Sequence, residues 1–283
     1  MAGLIEYWLF RFALATISVF PSLARLYVKL FEIAAPRLRR AAEANLAIAK
    51  IPDRGTVDGV FDSVARILVS FAQFPRIGRG NIGRWIRYEG LDNFNRALAQ
   101  GRGVLIATAH FGNWELSAFA HALMAAPMHV VVRPIDNPRI DRLVEQRRAL
   151  SGNLIIEKKD AARDILRALK SGGSAGILID QNSTLDQGIF IDFFGKKACT
   201  GSAFVKLAHH SGAPVILGYA LWSAREKRYI LTFEPEFELT GEVERDTQLI
   251  HSRLEALVRE HPDQYLWLHR RWKTRPPGER PLY

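Results

Sequence analysis

Short apolar runs alternate with helical patterns from Gly103 onward, and this alternation constrains the fold more than any other feature of the sequence. The apolar runs are typical of buried strands and span residues 104–109, 128–133, 175–179, 215–219 and 229–233. The segments between them have apolar residues at helical spacing and span residues 114–124, 139–150, 161–170, 202–210 and 246–259. Strands that alternate with helices predict an α/β domain with a largely parallel central sheet flanked by helices. Because ligands bind beyond the carboxyl ends of such strands, we expect the chemistry there.

The N-terminal segment is predicted to be a membrane-associated helix, so that residues 1–35 form an anchor and residues 36–283 form the α/β domain. The run from Phe12 to Ala24 is almost entirely apolar, yet it is shorter than the ~20 residues that span a bilayer. Extended to cover Leu4 to Ile33, it permits a tilted span whose flanking basic side chains reach the headgroups. A helix lying in the membrane surface and a helix packed on the soluble domain are the alternatives.

Charge and cysteine content narrow the possible partners. The chain has 39 Lys and Arg against 29 Asp and Glu, a formal net charge of +10. This excess predicts an anionic partner, whether acidic lipid headgroups, an acidic carrier protein or nucleic acid. The single cysteine, Cys199, excludes a disulfide framework and a cysteine-based metal site, and we expect it to be a buried apolar residue.

His110 and Glu115 are the candidate general base and its orienting carboxylate, in the sequence GVLIATAHFGNWEL. The pattern predicts a buried strand, a sharp turn through Gly112, and a helix capped by Asn113. His110 then lies at the carboxyl end of the strand, and Glu115 lies in the first helical turn, where the helix dipole favours its charge. A histidine can take a proton from a hydroxyl while a carboxylate at its other nitrogen fixes the tautomer. A structural histidine that caps the strand end is the alternative.

Several segments together resemble one known family. TAHFGNWEL, DQN, FFGKKACTGSAFVKLA, SGAP and the closing DQYLWLHRRWKTRP are similar to the late lipid A acyltransferases, the lauroyl and myristoyl transferases of the lysophospholipid acyltransferase superfamily. The H-x4-D/E box marks only the superfamily, whereas the FFG segment and the WLHRRWKTRP ending are more specific. The resemblance implies an acyl-carrier-protein or coenzyme A thioester donor, a glycolipid hydroxyl acceptor, and work at the cytoplasmic face of the bacterial inner membrane. It implies no cofactor, no metal ion and no nucleic acid.

The same resemblance implies roles for further residues. The catalytic pair falls on His110 and Glu115. Arg133, with Asn137 close behind it, is suited to a phosphate of the donor or acceptor, and a surface ion pair is the alternative. Asp180 and Gln181 follow a strand, so we expect them to position the acceptor or to line the pocket.

Three further features of the C-terminal half are interpreted in the same way. Phe194 and Gly195, in the FFG segment, are expected to shape the acyl channel, with ordinary core packing as the alternative. Thr200 is expected to cap the helix that begins at Ser202. The basic and aromatic ending, Trp267 to Pro276, favours an anionic membrane interface over nucleic acid.

The predicted function is therefore transfer of an acyl chain to a hydroxyl of a lipid A precursor. One alternative is acylation of another glycolipid or aminolipid, such as a phosphatidylinositol mannoside. The other is a non-catalytic basic protein that binds membranes. The G-x-G-x-x-G at Gly78, Gly80 and Gly83 follows an amphipathic helix rather than a strand, so we do not expect a dinucleotide site there.

Overall fold

A computed structural model describes residues 2–157 and 161–283, and in them a seven-stranded sheet is flanked by helices. The sheet strands are β1 (Ile86–Glu89), β2 (Val104–Thr108), β3 (His129–Val132), β4 (Leu154–Glu157), β5 (Ser174–Leu178), β8 (Val215–Ser223) and β9 (Arg228–Phe233), and a separate hairpin is formed by β6 (Gly188–Phe193) and β7 (Lys196–Gly201). The α-helices are α1 (Ala2–Val19), α2 (Leu23–Ala34), α3 (Pro36–Ala49), α4 (Thr56–Gln73), α5 (Leu91–Leu98), α6 (Trp114–Met124), α7 (Pro138–Ala149), α8 (Ala161–Lys170), α9 (Ala203–Ser211) and α10 (Val243–Glu260).

The strand order is β1-β9-β8-β2-β5-β3-β4. Strand β2 is paired in parallel with β5 and with β8. Strand β3 is paired in parallel with β5 and with β4, whereas β9 runs antiparallel to β8. The predicted α/β class with a largely parallel sheet is confirmed. The edge strands β1 and β4 and the hairpin strands β6 and β7 escaped prediction, because charged residues interrupt or end their short apolar runs.

The central strand β2 determines where the site lies. Its first four residues, Val104 to Ala107, are all buried, because the sheet is covered on both faces. Thr108 pairs with Leu178 on the neighbouring parallel strand β5. Two residues beyond this pair, the chain reaches His110 after β2 and Asp180 after β5, so both side chains emerge at the same level of the sheet.

The turn between β2 and α6 follows the predicted geometry. Gly112 has a φ of 63°, which glycine adopts without steric cost. Asn113 caps α6, because its Oδ1 accepts a hydrogen bond from the backbone N–H of Leu116 at 2.9 Å. The Gly112 N–H donates to the carbonyl of Gln264, and the Asn113 N–H donates to the carbonyl of Ala220, both at 2.8 Å. The turn is therefore tied to two distant segments.

The basic and aromatic ending is buried in part, although Arg270 and Lys273 are exposed. Trp267, Arg271 and Trp272 are almost fully buried. The Asn45 side chain donates hydrogen bonds to the carbonyls of Trp267 and His269, at 2.6 and 2.7 Å. The expectation that this ending meets an anionic membrane is wrong for these buried side chains, because they pack against the core.

The N-terminal segment forms two helices rather than one. The chain breaks at Phe20–Ser22, around Pro21, so a single helix from residue 4 to residue 33 is not formed. Leu14, Ile17, Ala24 and Val28 are buried in the main hydrophobic core, and α1 and α2 both contact α4. In the described part of the chain, no helix combines the length and the apolar character needed to cross a bilayer.

We predict that Gly112→Ala destabilises the fold. A Cβ at position 112 would overlap the carbonyl oxygen of Ala220, and the positive φ adds strain. We expect the free energy of unfolding to fall by about 2 kcal/mol or more, measured by chemical denaturation. Gly80→Ala is the matched control, because its Cβ would meet nothing within 4 Å. Equal stability of the two variants would contradict the prediction.

Candidate active site

A cavity of about 750 Å³ lies between the central strands and the helices α6, α8 and α9. Its polar end is at the carboxyl ends of the strands, where His110, Glu115, Arg133 and Gln181 line it. The side chain of Arg133 is 82% exposed, so this end meets solvent. The opposite end is lined by apolar side chains such as those of Ile106, Met128 and Phe233. A polar end above an interior lined mainly by apolar side chains suits an amphiphilic ligand.

His110 is hydrogen-bonded to Asp180 at the polar end. Its Nδ1 lies 3.0 Å from Oδ1 of Asp180, and its backbone N–H donates to Oδ2 of the same carboxylate at 3.2 Å. Asp180 is almost fully buried. Both carboxylate oxygens thus bind the same residue, and they set the position of its backbone and the orientation of its ring.

This pairing changes the acid–base properties of both groups. Burial lowers the pKa of His110, but the adjacent Asp180 carboxylate outweighs burial, so the pKa of His110 is raised above its ordinary value. Burial by itself raises the pKa of Asp180, yet the charge and hydrogen bonds of His110 lower it to about 2. Asp180 is therefore ionised at neutral pH and accepts the proton that His110 carries on Nδ1.

Glu115 lies in the first turn of α6, as predicted, but its hydrogen-bond partner is Arg148 rather than His110. The Arg148 guanidinium donates to both Glu115 oxygens, at 2.9 and 2.5 Å. The negative charge of Glu115 still helps to raise the pKa of His110. The prediction that Glu115 is hydrogen-bonded to His110 was thus wrong, because Arg148 of α7 binds both oxygens of the Glu115 carboxylate.

A second layer of polar groups, which the sequence did not predict, lies behind Asp180. Nε2 of His269 accepts a hydrogen bond from the backbone N–H of Asn182 at 3.3 Å, and burial lowers the pKa of His269 to about 4. The buried Arg271 donates to the carbonyl of Cys199 at 2.9 Å. The two Trp residues in WLHRRW could have indicated this layer from the sequence. Large aromatics of this kind are often buried, and a charged residue between buried aromatics needs hydrogen-bond partners inside the protein.

Thr200 does not cap the helix that follows it. It lies in β7, fully buried, and its hydroxyl accepts a hydrogen bond from Nη2 of Arg271 at 2.5 Å. Ser202 occupies the N-cap position of α9 instead. The predicted cap was wrong because β7 continues through Gly201. Cys199, in the same strand, is buried as expected.

Arg133 and Asn137, which sequence placed together, separate into two environments. Arg133 remains at the polar end of the cavity, with Nη2 4.0 Å from the Asp136 carboxylate. Asn137 caps α7 and donates to the carbonyl of Gly3 at 2.7 Å, thereby joining α7 to α1. Asn137 is not among the residues that line the cavity. Gln181 does line it, next to Asp180.

Phe194 and Gly195 lie away from the cavity, so their expected contribution to its shape is not observed. They form the two-residue turn between β6 and β7, with φ values of 56° and 73°. The Phe194 ring contacts Trp267, with ring centroids 5.6 Å apart, and the Arg259 guanidinium lies over it. Ordinary packing against the C-terminal ending is therefore the role that the structure supports.

Residues 3–274 match the family model of the bacterial lipid A biosynthesis acyltransferases. The chain is 29% identical to lipid A biosynthesis palmitoleoyltransferase of Escherichia coli (strain K12), over 98% of this chain and 95% of that enzyme. It is 31% identical to lipid A biosynthesis lauroyltransferase of the same organism, over 70% of this chain and 65% of that enzyme. It is also 24% identical to a lipid A biosynthesis acyltransferase of Haemophilus influenzae (strain ATCC 51907 / DSM 11121 / KW20 / Rd), over 79% of this chain and 70% of that protein.

We predict that Asp180→Asn lowers the pKa of the His110 imidazole below its ordinary value. Burial lowers the pKa of the His110 ring, and without the Asp180 carboxylate the main interaction that raises this pKa is lost. The measurement is an NMR titration of the histidine ring signals, with His110 assigned from the His110→Gln variant. Asp92→Asn, at an exposed aspartate in the first turn of α5, is the control. An unchanged His110 pKa in Asp180→Asn would contradict the inference that Asp180 raises the pKa of His110.

Proposed function

The chain belongs to the bacterial lipid A biosynthesis acyltransferase family and is an acyltransferase, and from this premise we propose how its residues carry out the transfer. In this proposal an acyl chain moves from a thioester of acyl-carrier protein or coenzyme A to a hydroxyl of a lipid A precursor. His110 is the general base, and Asp180 orients it. Because relatives along the whole chain are named as acyltransferases, the alternative of a non-catalytic membrane-binding protein does not hold.

The hydrogen bond between His110 and Asp180, at the polar end of a mainly apolar cavity, carries the proposal. In this proposal the acyl chain packs against the apolar side chains of the interior, and its thioester carbonyl lies at the polar end beside His110. The ionised Asp180 accepts the Nδ1 proton, so neutral His110 keeps its lone pair on Nε2. That nitrogen is free to take a proton from an acceptor hydroxyl.

The reaction balances without a covalent enzyme intermediate. His110 takes the hydroxyl proton as the acceptor oxygen forms a bond to the thioester carbon, giving a tetrahedral intermediate with a negative oxygen. The positive N-terminal end of α6, which begins at Trp114 beside His110, favours this oxygen. The carbon–sulfur bond then breaks, and the imidazolium returns its proton to the leaving thiolate. The products are an ester and a free thiol.

Glu115 and Arg148 have a supporting part in this proposal. Their ion pair lines the cavity next to His110 and joins α6 to the last turn of α7. The Glu115 charge favours the imidazolium that forms during the reaction. Arg133, exposed at the same end, is available to a phosphate of the donor or the acceptor.

We further propose that α1 and α2 dock on the inner membrane, at its cytoplasmic face. Their outer faces expose a set of large apolar side chains, which we name the N-terminal apolar surface: Leu4, Ile5, Trp8, Leu9, Phe12, Val19, Phe20, Leu26, Leu30, Phe31 and Ile33. Exposed basic residues accompany them, among them Arg11, Arg25 and Lys29. An apolar surface with basic neighbours suits an anionic bilayer, with the helices lying in its surface.

We predict that His110→Ala abolishes transfer and that Asp180→Asn lowers its rate by about 10²-fold or more, since a base held in the wrong tautomer loses most of its effect. The assay supplies purified protein with labelled acyl-carrier protein and a Kdo-bearing lipid A precursor. His210→Ala, at an exposed histidine, is the control for the first variant, and Asp92→Asn serves the second. Wild-type rates in His110→Ala would rule out this mechanism. Transfer only to another glycolipid would support the alternative acceptor.

The pH dependence gives a separate test of the same pair. A general base works when it is neutral, so the wild-type rate rises as pH increases through the raised pKa of His110. Loss of the Asp180 charge lowers that pKa, so we expect the acid limb of the Asp180→Asn profile to move to lower pH. An acid limb that stays in place in this variant would argue against His110 as the base.

For membrane docking, we predict that Leu9→Asp weakens binding to anionic phospholipid vesicles by at least about 10-fold, because one buried leucine contributes ~1.5–3 kcal/mol. The measurement is co-sedimentation at several lipid concentrations. Leu249→Asp is the matched control, since Leu249 is also exposed but lies on α10. Equal loss of binding in both variants would show that the N-terminal apolar surface has no special part.

A further inference from the structure

The end of the cavity remote from His110 lies against the middle of the sheet. Ile106, Met128, Gly176 and Phe233 line it there. Gly176 is in the middle of the sheet, paired with Ile106 on one side and Val130 on the other. A glycine at this central position leaves the sheet face without a side chain, and a neighbouring residue fills the space.

That neighbour is Met128. A Cβ at position 176 would lie 2.8 Å from Cε of Met128, so the methionine methyl group sits directly over the glycine. Met128 is 4% exposed. Any ordinary side chain at position 176 would displace this methyl group. The pair therefore lines the cavity with an unbranched thioether, which is among the most adaptable side chains in protein interiors.

The backbone beneath this side chain is held in place by Asn153. The Met128 N–H donates to Oδ1 of Asn153 at 3.0 Å, and the Met128 carbonyl accepts from the N–H of Leu154 at 3.0 Å. Nδ2 of Asn153 donates to the carbonyl of Ala118 on α6 at 2.9 Å. The start of β3 is thus tied to α6, so the base of the Met128 side chain keeps a constant distance from the site.

That distance corresponds to a definite length of hydrocarbon. Gly176 is four residues before Asp180 along β5, which at ~3.3 Å per residue is about 13 Å. Single carbon–carbon bonds of ~1.5 Å in an extended zigzag advance about 1.3 Å per carbon. The Met128 side chain therefore meets an extended acyl chain about ten carbons from the carbonyl.

We propose that Met128, packed over Gly176, ends the acyl channel and sets the length of the acyl chain that the enzyme accepts. This inference rests on the proposed function, because it assigns the cavity to the donor chain. The side chain of Met128 extends three heavy atoms beyond Cβ, so its removal lengthens the channel by roughly two to three carbons. A rigid ring at the same position shortens the channel.

The test measures length preference by binding and by transfer. In the full-length His110→Ala background, acyl-CoA thioesters with even chains from octanoyl to stearoyl displace a fluorescent fatty acid, so that affinity is read without turnover. The same chain lengths, as thioesters of acyl-carrier protein and of coenzyme A, are supplied with the Kdo-bearing lipid A precursor to the enzymes with His110 intact, and product chain lengths are measured by mass spectrometry. The variants are Met128→Ala and Met128→Phe, with Met124→Ala as the matched control, since Met124 is 38% exposed at the end of α6 and does not line the cavity.

We expect Met128→Ala to move the preferred chain length up by about two carbons, and Met128→Phe to move it down, while Met124→Ala leaves it unchanged. Thermal unfolding of each variant is measured as a control for correct folding. An unchanged length preference in both Met128 variants would overturn the inference, whatever the transfer rate. A shifted preference in binding, combined with no transfer by the wild type, would support the channel assignment and count against the proposed reaction alone.

Discussion

Backbone hydrogen bonds from two distant segments hold the turn at residues 110–113, and the geometry of the site depends on them. The carbonyls of Ala220 and Gln264 accept from the N–H groups of Asn113 and Gly112, and the Leu266 N–H donates to the carbonyl of His110, all at 2.8 Å. Buried backbone groups that lose such partners cost about 1–3 kcal/mol each, so the turn has little freedom to move. The position of His110, the base in the proposed reaction, is therefore decided by strand β8 and the C-terminal ending as much as by the strand that precedes it.

The same turn and the C-terminal ending also provide the partners of the buried charged residues. Asp180 is almost fully buried, and a buried carboxylate is stable only when it is hydrogen-bonded and near positive charge. His110 supplies two hydrogen bonds, while the buried Arg271 donates to the carbonyl of Cys199 and the hydroxyl of Thr200. The C-terminal ending thus has two tasks: its backbone positions His110, and its arginine brings a cation into the layer behind Asp180. This arrangement explains why Arg271 in this basic ending is buried.

The polar end of the cavity and the N-terminal helices are joined by one loop. This loop, between β3 and α7, contains Arg133 at the cavity and Asn137, which donates a hydrogen bond to the carbonyl of Gly3 on α1. In the proposed reaction the acceptor is a membrane lipid, so its hydroxyl reaches His110 only if the cavity opens close to the bilayer. Because α1 docks on the membrane in our proposal, its attachment to the loop that borders the cavity provides that proximity.

The sequence by itself determined the class of fold and the turn that carries His110. The apolar runs predicted a largely parallel sheet, and HFGNWEL predicted a glycine turn, an asparagine cap and a histidine at a strand end, because each depends on local conformational preferences. Local pattern also accounts for the break at Pro21, because a proline within an apolar segment ends the helix.

Only the tertiary structure decided which residues meet. His110 and Asp180 are both at strand ends, but they become partners because β2 and β5 are neighbours with Thr108 opposite Leu178. Glu115, close to His110 in sequence, is instead bound by Arg148 from α7. The order and register of strands arise from packing of the whole sheet, and contacts between side chains 70 residues apart leave no periodic trace in the sequence.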